Sequence, residues 1–135
     1  MAMIWKLSGG AVATLVAVAL LGACAAAAER TVDVTIRHSR FLPATLDFSP
    51  GTTVRFVVRN TDPIDHEFIV GNEAVQARHQ TGTEPHHGAI PGEVSVPAGG
   101  QATTTYTFSE PGTIFIGCHL PGHYAYGMRG SVRVG

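Results

Sequence analysis

The chain has 135 residues, a formal net charge of −1, and hydrophobic and charged fractions of 44% and 14%. That length fits one domain, and that apolar content excludes a disordered tail. With no basic run and no basic patch interleaved with aromatics, nucleic-acid binding is excluded as well.

Residues 1–28 (MAMIWKLSGGAVATLVAVALLGACAAAA) carry one positive residue, Lys6, then an apolar run, then small residues. This is the layout of a secretory signal, and it is short and Ala-rich for a membrane span. It predicts export to the periplasm, the cell surface or the medium. Two processing readings stay open. Leu21-Gly22-Ala23-Cys24 resembles a bacterial lipobox, which would make Cys24 a lipidated membrane tether, and Ala26-Ala27-Ala28 resembles an A-x-A site with cleavage before Glu29. Either way residues 29–135 form the folded domain, and Cys118 is its one cysteine. An exported domain with a single thiol forms no internal disulfide, and that thiol needs burial or a metal to escape oxidation.

From Thr31 the pattern has period two. TVDVTI puts Val32, Val34 and Ile36 on one face. TVRFVVRN puts Val54, Phe56 and Val58 inward, with Arg55 and Arg59 outward. Further along, Thr104, Tyr106 and Phe108 alternate against Thr, Ile114, Ile116 and Cys118 share a face, and Val132 and Val134 close the chain. Such alternation in runs rich in Val, Ile, Thr and Phe predicts half-buried strands. Turn signals separate them, among them Ser49-Pro50-Gly51, Asn60-Thr61-Asp62-Pro63, Pro97-Ala98-Gly99-Gly100 and Glu110-Pro111-Gly112. The expectation is an all-β fold, a Greek-key β-sandwich or barrel of about seven or eight strands. Residues 71–92 are the one long connection, and NEAVQARHQ (72–80), capped by Asn72, is its candidate helical turn.

Between the last two strands lies GCHLPGHYAYGM, residues 117–128. Cys118 is followed five residues on by His123 and five further by Met128, with Pro-Gly and Gly127 supplying bends. Thiolate and imidazole suit copper, zinc or iron, and an added thioether selects copper. The blue-copper arrangement, His₂Cys with a long axial Met, needs one more histidine. His66 supplies it from a strand whose face it shares with Ile64, Phe68 and Val70, a strand able to lie beside that of Cys118. Each residue singly reads as packing or a solvated side chain; the conjunction points to a metal.

These residues resemble the cupredoxin family, the small blue (type 1) copper proteins. The C-x4-H-x4-M spacing looks most like the longer-loop, rusticyanin-like members. The resemblance covers about residues 31–135. It implies one Cu(I)/Cu(II) ion held by His66, Cys118 and His123, with Met128 axial. It also implies a monomer whose His123 edge reaches the surface in an apolar patch, here Leu120, Pro121, Tyr124 and Tyr126, where a redox partner or copper donor would dock. Family members often carry Asn just after the first His ligand; here that residue is Glu67. The Cys118-His119 pair also resembles multicopper oxidases, which place histidines on both sides of the Cys. Here Gly117 precedes it and the chain has no His-x-His pair. His119 is expected on the opposite strand face in a structural role. One cysteine is too few for a dinuclear copper centre.

His79, His86, His87 and Glu84 are expected in a polar, solvent-exposed loop, a second metal being the lesser reading. Adjacent His86 and His87 should diverge, and His38 sits at a strand end without a signal. The function expected is that of an exported one-electron carrier, not an enzyme. The alternatives are a copper storage, delivery or resistance protein using the same site, and a partner subunit of a multicopper oxidase.

Overall fold

The computed structural model describes residues 29–82 and 86–135. The signal, the Cys24 tether and Glu84 therefore lie outside the described residues. Among the described residues nine strands and one helix follow in chain order: β1 (Arg30–Ile36), β2 (Phe41–Leu42), β3 (Thr45–Phe48), β4 (Thr52–Asn60), β5 (His66–Gly71), α1 (Glu73–Thr81), β6 (Glu93–Val96), β7 (Gln101–Phe108), β8 (Gly112–Gly117) and β9 (Arg129–Val134). They form two sheets, ordered β2-β1-β4-β7 and β3-β9-β8-β5-β6. The β1–β4 and β3–β9 pairs are parallel, and the other pairs are antiparallel. The result is an all-β sandwich. Its strand number exceeds the expectation because β2, β3 and β6 have two to four residues each, too few for a period to register.

The alternating residues line the space between the sheets. Val34, Ile36, Val54, Phe56, Val58, Phe108, Ile116, Val132 and Val134 are all buried in one cluster with Phe41, Phe48 and Phe68. Phe56 packs on Phe68 at 5.1 Å, Phe68 meets Phe41 edge-on at 5.5 Å, and Phe48 stacks on Phe108 at 5.1 Å. Each fully buried side chain of this size contributes roughly 1.5–3 kcal/mol, so the sandwich rests on these rings.

Strand β5 does not alternate: all six residues are buried. Phe68 and Val70 enter the central core, while Glu67 and Ile69 are buried outside it. The helix covers this second face, with Gln76 Nε2 donating to the carbonyls of Ile69 and Phe115. Asn72 caps α1 by accepting from the Val75 amide, as the sequence predicts. Ile64 departs from expectation. It precedes β5 and is 47% exposed, because the Asn60–Asp65 turn ends only at His66.

Candidate metal centre

Strands β5 and β8 run antiparallel, with Ile69 opposite Gly117. The start of β5 and the end of β8 therefore meet at one end of the sandwich, bringing His66 beside Cys118. The β8–β9 loop then folds back on itself. Cys118 N donates to Met128 O, His123 N to Leu120 O, and Met128 N to His123 O. This closure delivers His123 to the same point. Cys118 Sγ lies 3.3 Å from His123 Nδ1 and 3.9 Å from His66 Nδ1, and the two Nδ1 atoms are 3.2 Å apart. Cys118, His66 and Met128 are buried, and His123 is partly exposed. Two imidazole nitrogens and one sulfur converge on one point, and a thioether is buried at the loop's far end. That donor set fits copper.

The ring of His66 is held by a residue that the sequence reading placed only in a turn. Asp62 Oδ2 accepts from His66 Nε2 at 3.0 Å, which directs the Nδ1 lone pair toward Cys118 and His123. Asp62 also accepts from the amides of His38 (2.7 Å) and Ser39 (2.8 Å). Burial by itself would raise its pKa, but the two amides and the His66 ring bring the carboxyl below its ordinary 3.8. Asn60 fixes the same turn: its Nδ2 donates to the carbonyls of Ile64, Val96 and Pro97, and its Oδ1 accepts from Asp62 N. Burial and the neighbouring His66 hold His123 below its usual pKa, which favours the neutral imidazole with a lone pair to donate.

Burial pushes the Cys118 thiol from 9.0 up to about 11, although the amides of Glu67 and Leu120 pull it down. A raised pKa means that the metal-free fold keeps the proton which the unfolded chain releases near pH 9. Its stabilising effect is therefore complete below that pH and is lost as pH rises toward 11. The shift corresponds to about 3 kcal/mol. Chemical denaturation of the metal-free protein across this window should show a decline that the Cys118→Ala variant lacks; equal pH profiles would contradict the thiol's burial.

Glu67 works through both backbone and side chain. Its amide donates to Cys118 Sγ at 3.3 Å. Its carboxylate accepts from the His119 amide at 3.1 Å and lies 3.3 Å from His87 Nε2. His119 points away from Cys118, as expected. Its Nε2 meets Gln76 Oε1 at 2.7 Å, its ring stacks on Tyr124 at 4.7 Å, and burial holds it down near pKa 4. A side chain at position 117 would drive a Cβ to 2.6 Å from Gln76 Oε1 and 2.9 Å from His119 Nε2. The histidine that an oxidase places before the Cys therefore has no room here.

The loop histidines correct the sequence reading in part. His86 is exposed and diverges from His87 as expected, but His79 is buried and so is the side chain of His87. His79 projects inward from α1, whereas His87 is tied to β6 by its amide bond to Ser95 Oγ at 2.8 Å. The two tyrosines near His123 also separate: Tyr124 is held between His119 and Arg129, while Tyr126 is 82% exposed.

A two-sheet sandwich with two histidines and a cysteine gathered where β5 begins and β8 ends defines a cupredoxin. The chain belongs to the copper-binding proteins of the plastocyanin/azurin family, whose profile matches residues 28–135. A protein of Rubrivivax gelatinosus named copper-resistant cuproprotein CopI is 39% identical over 114 residues, spanning 82% of this chain and 69% of that one. Its namesake in Pseudomonas aeruginosa is 31% identical over 142 residues, 82% of this chain and 78% of that one. The auracyanin of Roseiflexus castenholzii shares the fold with a TM-score of 0.65 at 23% identity, covering 81% of this chain and 98% of that one.

Proposed function

We propose that this cupredoxin serves copper resistance outside the cytoplasm, binding one copper ion through His66, Cys118 and His123 with Met128 as the weak fourth ligand. The convergence of the three donors at 3.2–3.9 Å carries the ligand assignment. The two relatives named for copper resistance support the physiological role. Copper bound there supplies a one-electron couple between Cu(I) and Cu(II).

The chain's own residues prepare for this. Asp62 fixes the tautomer of His66, the Glu67 amide stabilises the thiolate, and the buried Met128 limits water at the core side. His123 is the exposed edge, with Leu120, Pro121 and Tyr126 about it as the docking patch for a copper donor or redox partner.

Deleting the gene should make the host copper-sensitive, and wild type but not Cys118→Ala should restore growth. Unchanged tolerance would remove the resistance reading. One-electron transfer is the second reading, favoured by the enclosed site. Exchange with a Cu(I) chelator separates them, fast for delivery and slow for a shuttle. Met128→Leu should keep the colour and raise the potential, since the weak axial sulfur tunes the couple; loss of colour would give Met128 a stronger role.

A further inference from the structure

Behind Cys118, on the far side of Glu67, stands a second group of donors. His79 comes from α1, Glu93 from the start of β6, and His87 from the segment between them. One ligand atom from each lies within 4.8 Å of the others. His79 Nε2 is 3.0 Å from Glu93 Oε2, and His87 Nδ1 is 3.8 Å from the same oxygen. The His79 and His87 rings are 4.9 Å apart. All three side chains are 4–5% exposed. Arg78 pairs with the other oxygen, Oε1, of Glu93.

The hydrogen bonds at His79 decide its orientation. Its Nδ1 is 2.9 Å from the Val75 carbonyl, which can only accept, so Nδ1 carries the proton. Nε2 then turns either a lone pair or a second proton toward a carboxylate. A lone pair there would face Glu93 Oε2 in repulsion, whereas a cation between them satisfies both. A histidine that donates one N–H to a backbone carbonyl while its other nitrogen faces a carboxylate has the outer support usual for a metal ligand. Donor separations of 3.0 and 3.8 Å are those of atoms sharing one ion at bonds of about 2.0–2.2 Å.

A second observation points the same way. His119 Nδ1 is buried without a hydrogen-bond partner among the described residues. The His119 ring lies 5.9 Å from that of His79, and both line one pocket with Glu67 and His87. A buried, unpaired imidazole nitrogen is costly, and it is a donor in reserve beside the other three.

We propose that His79, His87 and Glu93 form a second metal site for a divalent first-row cation, with Cu(II) bound most strongly and His119 at its margin. Imidazole and carboxylate donors without sulfur suit a divalent ion, and Cu(II) heads the affinity order. Glu67 connects the two centres, because its amide meets Cys118 Sγ and its carboxylate meets His87. The inference does not depend on the ligand assignment at Cys118.

The protein, purified as its host processes it and stripped of metal, should be titrated with Cu(II) alone. Two equivalents are expected. The second should give an axial electron paramagnetic resonance signal with nitrogen coupling and no thiolate band. His79→Gln and His87→Gln should each bring the stoichiometry from two to one while the thiolate band, which reports a folded domain, persists. One equivalent in the wild type accompanied by the thiolate band, or a second that survives both substitutions, would overturn the site. If the variants lose the band through misfolding, wild-type crystals soaked in Zn(II) decide. Anomalous density among His79, His87 and Glu93 supports the site, and density absent there at full occupancy elsewhere refutes it. An unoccupied cluster would mean that His79 and Glu93 are bonded directly across 3.0 Å with no ion between them.

Discussion

Cys118→Ala should abolish the intense visible band of the copper-loaded protein and leave the fold standing. The sulfur is the one anionic soft donor of the three converging groups, and the charge-transfer band belongs to it alone. What remains, His66 Nδ1 and His123 Nδ1 at 3.2 Å with the weak Met128 thioether, holds copper without a thiolate. The metal-free domain should lose about 1–2 kcal/mol, the scale of a small buried truncation. The Glu67 amide loses its acceptor, but the β5–β8 ladder and the aromatic core are untouched. Absorption after adding one equivalent of Cu(II), with denaturation alongside, reads both effects. A surviving thiolate band would show the ligand assignment to be wrong.

Asp62→Ala should have the second largest effect, and it acts on both metal affinity and stability. Without the carboxylate the His66 ring loses the acceptor that fixes its tautomer, and removing such a partner typically costs 10–100-fold in metal affinity. The same change orphans the amides of His38 and Ser39. Those two residues sit at φ 52° and 51°, a conformation uncommon for residues with side chains and held here by the two bonds to Asp62. A loss of about 2 kcal/mol or more is expected. Because the pKa of Asp62 is depressed, its stabilising effect is present above about pH 4 and disappears on further acidification. The variant should therefore lack part of the wild type's acid sensitivity. Copper affinity by chelator competition, with urea denaturation at pH 7 and pH 3, tests this. An affinity within threefold of wild type would mean that His66 is oriented by its strand alone.

Period-two alternation carried most of the fold, because a half-buried strand writes its inner face into every second residue. Val34 and Ile36 on either side of Thr35, and Val54 and Phe56 on either side of exposed Arg55, show this directly. The candidate metal loop was legible for a different reason: Cys118 and His123 lie on one short turn, so sequence distance and spatial distance agree. Tertiary structure alone decided what depends on contacts across the chain. Strand β5 has no alternation because α1 covers its second face, so Glu67 could not be recognised as buried. Asp62 lies four residues from His66, a spacing that in a turn predicts nothing about which side chain meets the ring. The grouping of His79, His87 and Glu93 arises because a helix, a loop and a strand converge behind β5. The local sequence favours a polar, exposed loop for those histidines over a metal site, and the folded chain places them against a buried carboxylate.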